Sequence, residues 1–160
     1  MTYTTNYVSP LGQLTLASDG EALCGLWFEG QKHFGRGASQ PWKMGEVPVF
    51  AQTKRWLDLY FAGQAPDFLP PLAPQGTAFQ QAVWKLLAEI PYGQTVTYGQ
   101  IARKLGCPSA QAIGGAVGRN PISILIPCHR VVGGNGALTG YAGGTHRKLA
   151  LLTLESSRDL

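Results

Sequence analysis

Two capping boxes in the second half of the chain constrain its fold more than any other feature. Thr77 is followed three residues later by Gln80, and Thr97 is followed in the same way by Gln100. In this motif the threonine hydroxyl accepts a hydrogen bond from the backbone N–H three residues on, and the glutamine side chain accepts one from the threonine's own N–H. Each box therefore begins a helix. The second of these helices is expected to end at Gly106, because glycine tolerates the left-handed conformation that closes many helices.

A third helix is predicted over residues 110–118, beginning after Ser109, so that the two short helices form a helix-turn-helix. This third helix consists mostly of residues with small side chains. Gly114 and Gly115 each lower its stability by roughly 1 kcal/mol relative to alanine. A helix this bare can pack closely on a neighbouring helix, or it can enter the narrow minor groove of DNA. Major-groove recognition needs long polar side chains, of which only Gln111 is present.

The first half of the chain has a different pattern. Residues 1–30 alternate as strands do, with a hairpin turn at 19–20, and residues 31–46 are expected to form a loop. Residues 47–61 show the apolar spacing of a helix. The chain therefore belongs to the α+β class, with strands and a helix preceding a mainly helical second half.

A proline-rich stretch at residues 64–76 separates the two halves. Closely spaced prolines make a stiff, extended connection. We therefore predict an N-terminal domain over 1–75 and a C-terminal domain over 76–160.

Apolar spacing predicts which sides of the first and last helices of the second half are buried. The last helix is expected to begin at Thr145 and to end at Glu155. The positions predicted to face inward are Phe79, Val83, Leu86, Leu87 and Ile90 in the first helix, and Leu149, Leu151, Leu152 and Leu154 in the last.

Charge and cysteine content limit the classes of function. Residues 76–160 carry eight Lys/Arg and only three Asp/Glu, a balance compatible with a polyanionic partner. Three widely spaced cysteines match neither a disulfide framework nor a zinc site, so we expect a reducing, cytoplasmic compartment and no metal. The sequence predicts neither a signal peptide nor a membrane span.

The chemistry is concentrated in Cys128 and His129, which lie within an apolar run. A thiol beside a base can be converted to a reactive thiolate. Neighbouring side chains of an extended chain point to opposite faces, so a direct pair requires a turn or a bridging water. Glu155 is a natural partner for His129 if the last helix packs behind this segment. A buried structural cysteine beside a surface histidine is the alternative.

These motifs together resemble the O6-alkylguanine-DNA alkyltransferases, which repair DNA by direct reversal. The resemblance is strong over residues 77–155 and weaker before them, and it implies a ribonuclease-H-like N-terminal domain. The segments that carry it are Ile90-Pro-Tyr-Gly-Gln-Thr-Val-Thr-Tyr98, Asn120-Pro121, Ile126-Pro-Cys-His-Arg-Val-Val132, Gly140-Tyr-Ala-Gly-Gly144 and Leu154-Glu155.

The resemblance implies a role for each catalytic candidate. Cys128 would accept the alkyl group of O6-alkylguanine in duplex DNA, once per molecule, after the damaged nucleotide has been flipped out of the helix. His129 would act as a base through a water, oriented by Glu155. Asn120 would hold the turn before the active segment, and Tyr98 would donate a hydrogen bond to the departing guanine. Activity on O4-alkylthymine stays open.

The resemblance also implies a base pocket and a DNA surface. The pocket residues are Val131, Tyr141, Ala142 and Gly143. The residues expected to contact DNA are Thr97, Ser109, Gln111, Ala112, Gly114, Gly115, Arg119 and Arg130. Gln111 departs from the family, which usually has an arginine at this position, and the departure predicts weaker DNA binding or slower base flipping. No cofactor is expected, and we expect a monomer.

Three other classes of protein compete with this interpretation. A non-catalytic lesion-binding module would lack the cysteine, which is present here as Cys128. A helix-turn-helix transcription regulator would need long polar residues in its recognition helix. A cysteine hydrolase would need an orienting Asn or Asp in the usual arrangement.

Overall fold

The computed structural model describes residues 1–157, so the last three residues of the predicted C-terminal domain lie outside the described part. A four-stranded sheet and one helix form the first half, and four helices dominate the second. The elements are β1 Thr2–Ser9, β2 Gly12–Ser18, β3 Leu23–Phe28, β4 Trp42–Met44, α1 Pro48–Phe61, α2 Ala78–Ala88, β5 Val96–Thr97, α3 Tyr98–Leu105, α4 Ala110–Gly118, a 3₁₀ turn Cys128–Arg130, β6 Val131–Val132 and α5 Thr145–Ser157.

The sheet has the strand order β3-β2-β1-β4. The first three strands form the predicted antiparallel meander, whereas β4 runs parallel to β1. The prediction of a loop throughout residues 31–46 is therefore wrong at residues 42–44. Trp42 stacks on Trp27 with ring centroids 5.8 Å apart, and this long-range aromatic contact holds the short strand in a segment with little strand pattern of its own.

The apolar side of α1 covers the sheet, as its spacing predicted. Its buried residues are Val49, Phe50, Thr53, Trp56, Leu57 and Tyr60. A single hydrophobic core continues from this helix into the second half, where it includes Ile113 of α4 and Leu151 of α5. The two halves consequently share one interior.

Strand β3 joins the halves through its outer edge. The proline-rich stretch pairs with it, because the Leu23 N–H donates to the Pro71 carbonyl at 2.8 Å. Further along, the Leu26 N–H donates to the Pro121 carbonyl at 2.8 Å and the Leu26 carbonyl accepts from the Ser123 N–H at 3.0 Å. The edge of the sheet is thereby covered. This pairing also anchors the segment that leads to Cys128.

The predicted starts of α2, α3 and α4 and the predicted ends of α3 and α4 are confirmed, whereas α5 continues past its predicted end at Glu155 to Ser157. Both bonds of each capping box are formed at Thr77 and Thr97. Gly106 has a left-handed φ of 63° and closes α3, and the Ser109 hydroxyl caps α4 by accepting the Ala112 N–H. Local hydrogen bonds determine these ends, which explains why the sequence could predict them.

Two of the predicted inward positions are wrong. Phe79 is 39% exposed and Leu149 is 53% exposed. Trp84 instead fills the interior between α2 and α4, and its Nε1–H donates to the Ala116 carbonyl at 2.9 Å.

Within residues 1–157, no helix is long and apolar enough to cross a membrane.

Candidate active site

Asn120 shapes the segment that carries the cysteine. Its side-chain NH₂ donates to the carbonyls of Ile122 at 3.2 Å and Ile126 at 2.7 Å, while its Oδ1 accepts the Ile122 N–H at 3.0 Å. Ile124, inside this curled segment, has a positive φ of 71°. A buried amide that satisfies three backbone groups can hold a conformation that a non-glycine residue rarely adopts. The segment therefore reaches Cys128 in one fixed geometry.

Cys128 begins the 3₁₀ turn of residues 128–130, which resolves the geometric objection to neighbouring Cys and His residues. The thiol is buried, and burial raises its pKa, whereas a hydrogen bond from Asn120 and the positive charge of Lys148 act in the opposite direction. A thiol with a raised pKa is protonated near neutral pH, so it needs a base to become a nucleophile.

His129 follows Cys128 in the 3₁₀ turn and is fully buried. Its Nε2 lies 2.5 Å from Oε2 of Glu155, and its Nδ1 has no hydrogen-bond partner among the described residues. Burial lowers the pKa of His129 more than the adjacent carboxylate raises it, so the ring is neutral at pH 7. A neutral ring that donates from Nε2 to a carboxylate presents Nδ1 as an acceptor, as a general base requires.

Glu155 is an interior carboxylate with several partners besides His129. Its Oε1 accepts from Nε of Arg130 at 2.8 Å and from the Gly93 N–H at 3.2 Å, and its Oε2 accepts from the Tyr60 hydroxyl at 2.6 Å. Burial acts to raise the pKa of Glu155, but the hydrogen bonds from His129 and Arg130 and the guanidinium charge of Arg130 outweigh it and lower that pKa to about 2. The group is therefore a stable anion.

The position of Arg130 corrects its predicted role. We expected Arg130 to contact DNA, but it is only 7% exposed. Its guanidinium pairs with Glu155 and donates from Nη1 to the Ile90 carbonyl at 2.7 Å. Taking an arginine out of water is costly, and pairing with an interior carboxylate offsets that cost. Arg130 therefore belongs to the support of the His129–Glu155 pair.

A cavity of about 440 Å³ opens beside the thiol. Both the first and second halves of the chain contribute to its walls. Its lining residues are Lys32, His33, Tyr98, Gly114, Gly115, Val117, Gly118, Arg119, Cys128, Gly140, Tyr141 and Ala142. A cavity of this size lies within the range of small-molecule sites.

Of the four predicted pocket residues, two form the cavity wall and two lie behind it. Tyr141 and Ala142 line the cavity. Val131 is fully buried and pairs with Val96 between β6 and β5. Gly143 is buried beneath Tyr141, where an added Cβ would come within 2.8 Å of the tyrosine ring.

Two family models cover almost the whole chain. The ribonuclease-like domain of the 6-O-methylguanine DNA methyltransferases matches residues 2–74, and the DNA-binding domain of the same family matches residues 78–157. The chain belongs to this family. It is 47% identical to a methylated-DNA–protein-cysteine methyltransferase of Haemophilus influenzae over 157 residues, covering 96% of this chain and 86% of the relative.

Other members of the 6-O-methylguanine DNA methyltransferase family agree with this assignment. A methylated-DNA–protein-cysteine methyltransferase of Methanosarcina acetivorans is 47% identical, over 97% of this chain and 99% of the relative. The structure of Mycobacterium tuberculosis OGT in complex with DNA matches with a TM-score of 0.85 and 46% identity, over 98% of this chain and 93% of that one.

Helix α4, with its small side chains, also borders a groove on the surface of this protein. A groove of about 510 Å³ is lined by Ser109, Gln111, Ala112, Gly115 and Arg119, together with the start of α2. Gly115 and Arg119 border both the groove and the cavity. Most residues predicted to contact DNA therefore form one continuous surface next to Cys128.

Some of the DNA-contact candidates also form hydrogen bonds within the protein. Thr97 and Ser109 accept backbone N–H groups as helix caps, although each hydroxyl proton stays free to donate elsewhere. Arg119 donates from Nη1 to the Gly115 carbonyl at 3.0 Å, which lays its side chain along the glycine surface of α4.

Three residues near the site were missed by the sequence analysis: Tyr60, Thr139 and Lys148. Tyr60 lies within the helix predicted over residues 47–61, and Thr139 directly precedes the segment 140–144, but no role was predicted for either side chain. Lys148 is 1% exposed, on the same helix face as Leu151 and Glu155. The spacing of three and four residues between those positions is the pattern that could have identified it.

Proposed function

We propose that this protein repairs alkylated DNA by moving the alkyl group of O6-alkylguanine to Sγ of Cys128. Each molecule would act once, because a thioether is not readily hydrolysed. One arrangement of residues carries the proposal. Cys128 is buried at the cavity, and it is followed by the neutral His129, whose Nε2 contacts the anionic carboxylate of Glu155. The names of the relatives support the same reaction.

The proposed reaction starts with proton removal from the thiol. His129 Nδ1, which has no protein partner among residues 1–157, accepts the proton through one bridging water, and Glu155 stabilises the imidazolium that forms. Asn120 and the charge of Lys148 stabilise the thiolate. The histidine is thus oriented by a third group, in the manner of other activated nucleophiles.

Displacement at the alkyl carbon follows. The thiolate sulfur forms a bond to the carbon while the bond from that carbon to O6 breaks, and the electron pair passes to the guanine. Tyr98, at the cavity wall, donates a hydrogen bond to the departing base and stabilises its developing negative charge. The products are S-alkylcysteine and unmodified guanine in the DNA.

Access to the reacting carbon requires a flipped nucleotide, because the carbon lies inside the base stack of duplex DNA. The adjoining groove and cavity beside α4 suit a duplex on one side and an extruded base on the other. Small residues on α4 permit close approach to a minor groove. The structure of the M. tuberculosis protein in complex with DNA supports this partner.

We further propose that residues 1–75 and 76–160 are the two domains, that the protein acts as a monomer, and that it works in the cytoplasm. The three free cysteines are compatible with a reducing compartment.

Intact-protein mass spectrometry after incubation with a duplex containing O6-methylguanine tests the proposal. We expect wild type to gain the mass of one CH₂ group per molecule and Cys128→Ala to gain none. Cys107→Ala, which alters a partly exposed free cysteine, is the matched control and should react like wild type. If wild type binds the lesion duplex without any mass gain, the protein is instead a lesion-binding module.

A further inference from the structure

The loop of residues 140–144 forms part of the cavity wall, although three of its five residues are glycine. Tyr141 and Ala142 of this loop line the cavity together with Cys128. Within the loop, one turn is closed by the Gly144 N–H, which donates to the Tyr141 carbonyl at 2.8 Å. A backbone rich in glycine has many accessible conformations. The position of this wall therefore depends on contacts from outside the loop.

Arg147 reaches the loop from the first turn of α5. Its Nε donates to the Leu11 carbonyl at 2.9 Å, and its Nη1 donates to the Gly143 carbonyl at 3.1 Å. Leu11 belongs to the turn between β1 and β2, 136 positions earlier in the chain. One guanidinium thus joins the first half of the chain to the cavity loop.

The surroundings of Arg147 fit this connecting role. Its Cζ lies 4.5 Å from the centroid of the Phe28 ring, and a Cβ added to Gly143 would lie 3.0 Å from the same ring. Among residues 1–157, no ion pair joins Arg147 to a carboxylate. A guanidinium has five donors in a fixed plane, so it can bond two carbonyls while its face rests on an aromatic ring.

The first half offers the loop a firm support. The Leu11 N–H donates to Oγ of Ser9 at 3.1 Å, and that hydroxyl donates to the Gly12 carbonyl at 2.6 Å, so the turn is held by its own hydrogen bonds. A second bond to the loop also comes from this half, since the Lys32 N–H donates to the Ala142 carbonyl at 3.1 Å. The cavity loop is thus anchored to the sheet as well as to its own helix.

We propose that Arg147 is a positioning residue that holds loop 140–144 against the first half and thereby limits the size of the alkyl group that Cys128 accepts. The inference rests on the proposed function. Tyr141 and Ala142 line the same cavity as Cys128, so an outward movement of the loop widens the space beside the thiol. A methyl group needs a narrow space, because the reacting atoms must be held roughly 3–3.5 Å apart. A larger group fills a wider space by itself.

Rates on two lesions test this role. Arg147→Met keeps an unbranched side chain over Phe28 but removes every donor. Under single-turnover conditions, we expect Arg147→Met to repair an O6-methylguanine duplex about 10- to 100-fold more slowly than wild type. An O6-benzylguanine duplex should be affected less, so that the ratio of the benzyl rate to the methyl rate rises about tenfold. An equal slowing on both duplexes would overturn the proposal.

Arg147→Lys separates geometry from charge. Lysine keeps the positive charge but cannot present two donors in a fixed plane, so the ratio of the two rates should stay altered. A full return of both rates to the wild-type values would show that charge alone suffices, and the two-bond connection would be rejected.

Arg55→Met is the matched control. Arg55 lies over the ring of Phe68, with its Cζ 5.9 Å from the centroid, so the variant also removes an arginine from an aromatic face. Both rates should remain at the wild-type values. A change of ratio as large as that of Arg147→Met would overturn the assignment of the effect to the loop.

Hydrogen exchange follows the loop without DNA. We expect Arg147→Met to speed the exchange of backbone amides in residues 140–148 by about tenfold, while the amides of β1 and β2 stay protected. Unchanged exchange in the loop would overturn the proposal. A wild type that gains no mass would overturn the proposed function and the limit on alkyl size together, whereas a reactive wild type with an unaltered ratio in Arg147→Met would overturn the role of Arg147 alone.

Discussion

The hydroxyl of Tyr60 donates a 2.6 Å hydrogen bond to Oε2 of Glu155, a residue 95 positions further along the chain. The same oxygen contacts Nε2 of His129. A residue of helix α1 in the first half thus contacts the carboxylate that holds the candidate base in the second half. The first half therefore contributes a side chain to the candidate active site.

Tyr60→Phe should weaken both stability and alkyl transfer. The ring stays in place while Glu155 loses one donor, and hydrogen bonds to charged groups contribute about 1.5–3 kcal/mol. Urea unfolding should show a loss of that order, and single-turnover kinetics should show slower transfer. Tyr7→Phe is the matched control, because Tyr7 donates an exposed 2.6 Å bond to Asp58. That variant should change stability by less than about 1 kcal/mol and leave the rate unaltered. Equal effects of the two variants would contradict this assignment.

The acid stability of the fold should depend on Glu155. Its folded-state pKa of about 2 lies below the ordinary value of 4.5, so the unfolded chain binds the proton more readily. The resulting stabilisation, about 3 kcal/mol at most, is present above pH 4.5 and is lost as pH falls toward 2. His129 acts in the same direction, because its folded-state pKa is also below its ordinary 6.5.

Urea midpoints measured between pH 7 and pH 3 check this expectation. Wild type should become steadily less stable toward the acid end of the range. Glu155→Gln should be less stable at pH 7 but should lose less on acidification, because it has no carboxylate to protonate. Parallel pH profiles for the two proteins would refute the assignment to Glu155.

Gly143→Ala should damage the cavity wall. An added Cβ would lie 2.8 Å from the Tyr141 ring and 3.0 Å from Phe28, closer than such atoms pack, so the tyrosine must move. We expect slower alkyl transfer and weaker binding of the lesion duplex to the Cys128→Ala form. Gly134→Ala on the same loop is the control, since a Cβ there meets nothing within 4 Å. Similar rates for the two alanine variants would show that Tyr141 does not position the base.

Gln111→Arg should speed repair in duplex DNA. Gln111 is exposed at the start of α4 and borders the groove next to the cavity, where a cation would meet the opened base stack. A gain of about 1 kcal/mol in the transition state corresponds to roughly fivefold in rate. Gln64→Arg adds the same charge at an exposed position outside the helix-turn-helix and should have little effect. An unchanged rate for Gln111→Arg would count against the proposed role.

Features that depend on local chemistry were predictable from the sequence. The boxes at Thr77 and Thr97, the left-handed Gly106 and the Ser109 cap each involve residues within a few positions of one another, so short sequence windows contain all the necessary information. The partnership between His129 and Glu155 was also predicted, because Glu155 is the first acid after Glu89 and lies on a helix expected behind the active segment.

Features that depend on distant partners were decided by the tertiary structure alone. Arg130 faces inward because Glu155 neutralises its charge there, whereas a basic residue beside a DNA-contacting helix is ordinarily predicted to be exposed.

The short strand β4 likewise forms because β1 and Trp27 are available to pair and stack with it. By itself the sequence identified Cys128 and His129 as the candidate nucleophile and base and predicted the ends of α3 and α4. The tertiary structure decided which charges could be buried and how they were neutralised, since burial and long-range pairing are properties of the packed chain.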